Sequence, residues 1–186
     1  DADSTPSQET TRHVTLRGRP FTVTTDRGVF SGQKLDPGTK VLLELVPDPP
    51  ATGTALDIGC GWGPITMALA DASPGARVIG VDVNPRAVEL TRANLTANGL
   101  TNAEAHPVED FLAAEPEQTF DVMWSNPPIR VGKKTLHEIM TTWLPRLAPG
   151  GTAYLVVSKN LGGDSLHKWL QRELGLAVER IGSRQG

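Results

Sequence analysis

The sequence predicts an α/β fold in three layers, with helices on both faces of a mostly parallel sheet. Three observations lead to it. From residue 54 onward, short apolar runs alternate with segments of helical pattern, as in repeated strand–helix units. The apolar runs are nearly continuous, as strands buried on both faces require. Helix-start signals, Asn84-Pro85 above all, follow directly on strand-like runs.

The elements follow in chain order. Residues 1–12 are polar and without periodicity, and are expected to form a flexible N-terminus. Residues 13–24 alternate loosely around Arg17-Gly18-Arg19-Pro20, which predicts a hairpin. Beyond Gly28 and Gly32, Asp36-Pro37 reads as an N-cap with proline at the first helical position, and Val41, Leu42, Leu43 and Leu45 continue that helix. Strands are expected at 54–58, 77–81, 103–106, 120–124, 152–158 and 176–181. Helices are expected at 64–71, 85–98, near 111–114, at 135–147 and at 165–174. Gly99 stops the second of these helices, and Pro149-Gly150-Gly151 is expected to stop the fourth. The result is a single domain over 13–186, with an extension at 13–50 and a core at 54–182.

A chain of 186 residues suits one domain with a substantial core and is short for two. With 38% hydrophobic and 21% charged residues, the composition is that of a globular protein and not of a disordered chain. No run approaches the roughly 20 apolar residues of a membrane span, and no secretory leader is visible, so no membrane partner is expected. A single cysteine, Cys60, excludes an internal disulfide framework and points to the cytoplasm. The net charge of −3 carries no global signal for nucleic acid. Two local segments do. Residues 11–34 hold Arg12, Arg17, Arg19, Arg27 and Lys34 against Asp26, and residues 127–146 hold Arg130, Lys133, Lys134 and Arg146 against Glu138. Together they are candidates for one phosphate-binding face, against the plainer alternative of solvated surface charge.

Three motifs carry chemistry. In Leu56-Asp57-Ile58-Gly59-Cys60-Gly61-Trp62-Gly63-Pro64 a strand runs into glycines at alternate positions and then a helix. Glycines there permit a sharp turn and let a ligand lie against bare main chain. The spacing G-x-G-x-G differs from the G-x-G-x-x-G of dinucleotide binders, and Asp57 would repel a pyrophosphate but suits the ammonium of a methionine moiety. The second motif, Val78-Ile79-Gly80-Val81-Asp82-Val83-Asn84-Pro85, ends a strand on Asp82 about 20 residues after the glycines, where an acid can accept both ribose hydroxyls. Asn84 takes the capping role, which leaves Asp82 available. The third, Trp124-Ser125-Asn126-Pro127-Pro128-Ile129, follows the fourth strand. Its prolines remove two backbone donors and stiffen the turn, so that the Asn126 side-chain oxygen and the Pro127 carbonyl can accept hydrogens from one amino group.

Together these motifs resemble the class I S-adenosylmethionine-dependent methyltransferases that carry an Asn-Pro-Pro signature for methylating amino groups. Upstream, Gly28-Val29-Phe30-Ser31, Leu35-Asp36-Pro37-Gly38-Thr39 and Leu42-Leu43 are similar to the "methyltransferase small" family, which includes 16S ribosomal RNA guanine N2-methyltransferases of the RsmC type. The resemblance covers residues 20–182 and implies a three-layer Rossmann-like class I methyltransferase sheet. It implies that Asp57, Gly59, Gly61 and Gly63 hold the methionine part of S-adenosylmethionine, Asp82 the ribose, and Val83 the adenine face. Either Glu109 or Asp110, ending the third strand, would meet the adenine amino group. Phe30 and Ser31 would close over the site, and Asn126, Pro127 and Pro128 would receive the target base. The chain departs from the family at three places. Ile129 stands where relatives carry Phe or Tyr, and both the degenerate N-terminal domain of RsmC-type enzymes and the final antiparallel strand beyond Gly182 are expected to be missing.

The implied reaction is methyl transfer to an exocyclic nucleobase amine, with guanine N2 in ribosomal RNA as the first expectation. The Asn-Pro-Pro geometry reads an amino group and not its ring, so adenine N6 and a protein glutamine amide stay open. A sulfonium methyl is already electrophilic, so no metal and no covalent nucleophile are expected. The target base must be unpaired or flipped out, and Ile129, Arg130, Lys133 and Lys134 are its expected surroundings. The four histidines, at 13, 106, 137 and 167, are scattered and take no catalytic role. Cys60, between glycines, reads as a small packed side chain. Two rivals remain: a nicotinamide-dependent oxidoreductase, disfavoured by the glycine spacing, and a catalytically silent RNA-binding domain.

Overall fold

The computed structural model describes residues 8–26, 35–128, 131–159 and 162–184. A hairpin of β1 (Glu9–Leu16) and β2 (Arg19–Asp26) leads to α1 (Pro37–Leu45). The core then runs β3 (Thr52–Ile58), α2 (Pro64–Ala72), β4 (Gly75–Asp82), α3 (Pro85–Ala97), β5 (Ala103–Pro107) and α4 (Val108–Ala114). It continues through β6 (Phe120–Ser125), α5 (Lys133–Trp143), β7 (Leu147–Leu155) and α6 (Gly163–Leu174). The five core strands lie in the order β5-β4-β3-β6-β7, and every neighbouring pair is parallel. β3 is central, and the chain winds outward from it in both directions, so the crevice for a ligand opens beyond its carboxyl end.

Apolar strand residues point to both faces and build two cores. One packs Ala55, Val78, Val122 and Trp124 with Leu42 and Leu43 of α1, Ile65 and Leu69 of α2, Leu90 of α3 and the hairpin residues Leu16, Phe21 and Val23. The other packs Leu56, Ile58, Ile79, Val81 and Met123 with Phe111 of α4, Leu136, Met140 and Trp143 of α5, and Leu166 and Leu170 of α6. The helices are thus divided three to a face, which is the expected sandwich.

The hairpin is sewn to the core by side chains. Asn94 on α3 accepts from the Thr24 N–H at 2.8 Å and donates to the Thr24 carbonyl at 3.0 Å and the Trp62 carbonyl at 2.8 Å. One turn on, Asn98 accepts from the Thr22 N–H at 3.3 Å and donates to the Thr22 carbonyl at 2.9 Å. Four helical residues rise ~6 Å and two strand residues ~6.7 Å, so the two amides match alternate groups on the open edge of β2. They occupy the place of a neighbouring strand and protect that edge. At the hairpin tip Arg17 (φ 50°) donates to the Leu43 and Val46 carbonyls at 2.9 and 3.1 Å and pairs with Asp48 at 2.6 Å. It thereby caps the carboxyl end of α1, and its guanidinium lies 5.4 Å from the buried Trp124 ring.

Several expectations are corrected. β1 starts at Glu9, within the stretch expected to be flexible, because residues 9–12 find ladder partners in residues 23–26. The helix expected over 135–147 spans Lys133–Trp143 and gives way to a 3-10 turn, Leu144–Arg146, since Pro145 cannot supply the N–H a longer helix needs. Pro149-Gly150-Gly151 is therefore no helix stop but part of β7, at an irregularity in its pairing with β6. A Cβ at Gly151 would stand 2.9 Å from the Phe120 carbonyl oxygen, so glycine allows this close approach. Residues 176–181 form no strand, because none of the described strands pairs with them and an unpaired apolar run does not hold strand geometry.

Replacing Asn94 by Ala leaves three backbone groups, at Thr24 and Trp62, without their partners, and should lower stability by about 2–4 kcal/mol. A denaturant midpoint within experimental error of the parent would show that the Asn94 amide does not hold the hairpin.

Candidate active site

The three motifs meet at the carboxyl edge of the sheet, on the adjacent strands β4, β3 and β6. After Ile58 the chain turns, and the Gly59 and Cys60 N–H groups both donate to the Val81 carbonyl at 2.9 Å. Gly61 N–H donates to Asp82 Oδ2 at 3.0 Å, and Gly63 N–H closes the turn on the Cys60 carbonyl at 2.9 Å. Gly59 (φ 81°) and Gly61 (φ 57°) lie in the left-handed region, and a Cβ on either would point into open space. The outer face of the turn is therefore bare main chain. Its inner face is fastened by Thr91, which donates to the Gly61 carbonyl at 2.9 Å. Cys60 is buried as expected, and burial pushes its thiol well up.

Asp57 lies fully buried under this turn. Its Oδ2 accepts from the Thr66 hydroxyl at 2.7 Å, while Oδ1 has no hydrogen-bond partner among the described residues. Burial raises the Asp57 pKa to about 7, and the nearby Asp82 adds to the rise. A buried carboxylate with an orphaned oxygen next to a bare glycine turn suits a cationic ligand group. The Thr66 contact depends on Gly80, where a Cβ would come within 2.5 Å of the Thr66 hydroxyl oxygen. Neither Thr66 nor Gly80 stands out in the sequence, because their role arises only where α2 crosses β4.

Asp82 ends β4 half-buried, and the backbone fixes both its oxygens: Gly61 N–H on Oδ2 and Asn84 N–H on Oδ1 at 2.8 Å. Asn84 caps α3 through the Arg86 N–H, as expected. Val83 is 83% exposed, an apolar side chain left standing beside the turn. Glu109 and Asp110 do not end a strand. β5 stops at Pro107, and both residues are exposed in the first turn of α4, where the helix dipole favours acids.

Beyond β6, Asn126 is half-buried, Pro127 buried and Pro128 exposed. The Asn126 Nδ2 donates to Asp36 Oδ2 at 2.6 Å and to the Thr39 hydroxyl at 3.2 Å, both at the start of α1. Ser125 donates to the Ile58 carbonyl at 2.9 Å and ties this turn to the end of β3. Phe30, Ser31, Ile129 and Arg130 lie outside the described residues.

Arg17 is committed to the end of α1, whereas Arg19 is 67% exposed and lies 3.3 Å from Asp71, and Arg27 and Lys34 lie outside the described residues. Lys133 and Lys134 open α5, whose first turn holds no acid and no side-chain cap. Lys134 reaches Glu138 at 3.9 Å, an exposed pair of little energetic weight. Beside them His137 stacks on Trp169 of α6, ring centroids 3.9 Å apart, in an open groove of about 780 Å³ lined also by Thr141 and Thr142.

Comparison with known proteins agrees with this geometry. The methyltransferase small domain model matches residues 20–183. The protein YbxB of Bacillus subtilis (strain 168) is 38% identical over 183 residues, covering 98% of this chain and 90% of its own. Ribosomal RNA small subunit methyltransferase C of Shewanella sediminis (strain HAW-EB3) is 36% identical over 138 residues, 72% of this chain but 39% of its own length. Among solved structures, the T. thermophilus 16S rRNA N2 G1207 methyltransferase (RsmC) in complex with AdoMet and guanosine superposes with a TM-score of 0.76 at 30% identity. That match covers 91% of this chain and 47% of the RsmC chain. The chain thus spans under half the length of these two methyltransferases. With the model matched over most of its length, the chain belongs to the methyltransferase small domain family.

Proposed function

We propose that the chain transfers the methyl group of S-adenosylmethionine to an exocyclic amino group of a nucleobase, guanine N2 in ribosomal RNA first among them. One observation carries the reading: the bare glycine turn, Asp82 and Asn126-Pro127-Pro128 converge at the ends of three adjacent strands in a chain of this family. The RsmC relatives named above support ribosomal RNA, and the guanosine in the T. thermophilus complex supports guanine.

The cofactor supplies an electrophilic methyl on sulfur; the protein supplies position and electrostatics. Gly59, Gly61 and Gly63 offer main chain to the methionine part, and Asp57 offers negative charge from beneath it. Asp82, held by two N–H groups, keeps lone pairs for the ribose hydroxyls. Val83 presents an apolar surface to the adenine, and Glu109 or Asp110 takes its amino group. Phe30 and Ser31 close over the cofactor. At the acceptor side, the Asn126 Oδ1 and Pro127 carbonyl accept two hydrogens of the amine, with Pro128 stiffening the turn. That draws the nitrogen lone pair out of the ring and toward the methyl, and stabilises the charge developing there. Ile129 and Arg130 flank the base, while Lys133 and Lys134 meet phosphates. The His137–Trp169 stack next to those lysines suits unpaired bases.

The deciding experiment incubates the protein with unmodified 16S ribosomal RNA transcript and labelled S-adenosylmethionine, then resolves the nucleosides by mass spectrometry. N2-methylguanosine is expected. N6-methyladenosine, or label on protein glutamine instead, would move the acceptor. With the acceptor in hand, Asn126→Ala should cost about two orders of magnitude in turnover and leave cofactor affinity nearly unchanged. Equal loss of both would make Asn126 structural.

Asp57 predicts a pH dependence. Its folded pKa near 7 lies above the ordinary 3.8, so its protonated form favours the ligand-free fold below about pH 4, a contribution lost as pH rises to about 7. An ammonium in the cradle favours the ionised form instead, so affinity for S-adenosylmethionine should fall on the order of tenfold from about pH 7 to about pH 5.5. In calorimetric titrations Asp57→Asn should abolish this slope. A parent affinity flat with pH would detach Asp57 from the cofactor.

For the RNA face, each phosphate contact to a single strand contributes about 0.7 to the salt slope. Lys133→Gln with Lys134→Gln should weaken RNA binding and flatten that slope by about one unit. An unchanged slope in filter binding across a salt series would leave the two lysines as solvated surface.

A further inference from the structure

The Asn126 amide has two ends of nearly equal shape and opposite hydrogen-bonding character, and only the oxygen end can accept from an amine. Nothing in Asn-Pro-Pro itself chooses between them. The choice is made 90 residues away in sequence, at the start of α1. The amide nitrogen carries two hydrogens, and the structure provides an acceptor for each: Asp36 Oδ2 at 2.6 Å and the Thr39 hydroxyl at 3.2 Å. If the amide turned over, its oxygen would face a carboxylate, acceptor against acceptor.

Asp36 is itself immobilised. Its Oδ2 also accepts from the Gly38 and Thr39 N–H groups at 2.9 and 3.2 Å, as the N-cap of a nine-residue helix. Gly38 completes the fit. A Cβ there would lie 3.0 Å from Asn126 Nδ2, 3.1 Å from Oδ1 and 3.0 Å from Asp36 Oδ2, so the amide rests against main chain that a larger residue would obstruct.

We propose that Asp36 and Thr39 are positioning residues for methyl transfer: through the Asn126 amide nitrogen they hold its oxygen toward the acceptor amine, and Gly38 gives the amide room. The helix cap and the acceptor site are one device, so the order of α1 and the orientation of Asn126 rise and fall together. The proposal rests on the reading of Asn126 as an acceptor for the substrate amine.

Asp36→Ser tests it. Serine is an equally good N-cap, so α1 should persist and the thermal midpoint should stay close to that of the parent. Its hydroxyl donates as well as accepts, so the carboxylate that faces the Asn126 amide nitrogen is gone and the amide is free to turn. Turnover on the RNA acceptor should fall at least about tenfold, with cofactor affinity unchanged. A variant with parental turnover overturns the proposal. Side-chain amide NMR supplies a readout that needs no substrate. The Asn126 Nδ2 protons, identified by their loss in Asn126→Ala, should shift and exchange faster with water in Asp36→Ser, and unmoved resonances overturn the positioning role. Should the parent methylate no RNA while these resonances respond, the RNA reading fails and the orientation of Asn126 by Asp36 stands.

Discussion

The Val81 carbonyl, at the end of β4, receives the N–H groups of both Gly59 and Cys60, and the site depends on that anchor. It turns the chain out of β3 toward β4, so that the next N–H, from Gly61, falls on Asp82. The glycine turn and the acidic residue are thereby one unit, built from two adjacent parallel strands. Thr91 holds the turn from behind, and Asn94 links the Trp62 carbonyl to the hairpin edge. A disturbance at the hairpin is therefore transmitted to the turn by hydrogen bonds as well as by apolar packing.

Two buried or half-buried acids set the chemistry of the site, and they are treated differently. Asp57 has one oxygen without a partner among the described residues, a cost to the fold that a cationic ligand group would offset. Asp36 is satisfied by the helix N-terminus and the Asn126 amide, and its role is to orient. On the proposed reading, the unpartnered oxygen lies on the cofactor side and the fully partnered acid on the acceptor side, in line with the demand for preorganised donors and acceptors around developing charge.

In the N-terminal segment the fold withdraws one basic residue from the surface and leaves another there. Arg17 commits its guanidinium to the Leu43 and Val46 carbonyls, Asp48 and the Trp124 ring, whereas the Arg19 side chain is 67% exposed beside Asp71. Lys133 and Lys134 differ because α5 begins at the edge where the site opens and nothing acidic shares its first turn. Charge counts in sequence say how many cations a segment holds; only packing says which of them face outward.

The sequence by itself determined what depends on neighbouring residues. The alternation of apolar runs and capped helices set the sandwich, the spaced glycines set the turn after β3, Asp82 set the end of β4, and the two prolines set the rigid turn after β6. These are effects of backbone conformation and short-range periodicity, and they are written locally. The tertiary structure alone decided the partners. Thr66 reaches Asp57 because Gly80 leaves room on the neighbouring strand, and Asp36 meets Asn126 because α1 packs over the end of β6. It also moved Glu109 and Asp110 into a helix, carried β7 back through Pro149-Gly150-Gly151, and left residues 176–181 outside the sheet. A side chain's hydrogen-bond partner, and a strand's neighbour, are set by distance in space, and that distance is fixed only once the layers have packed.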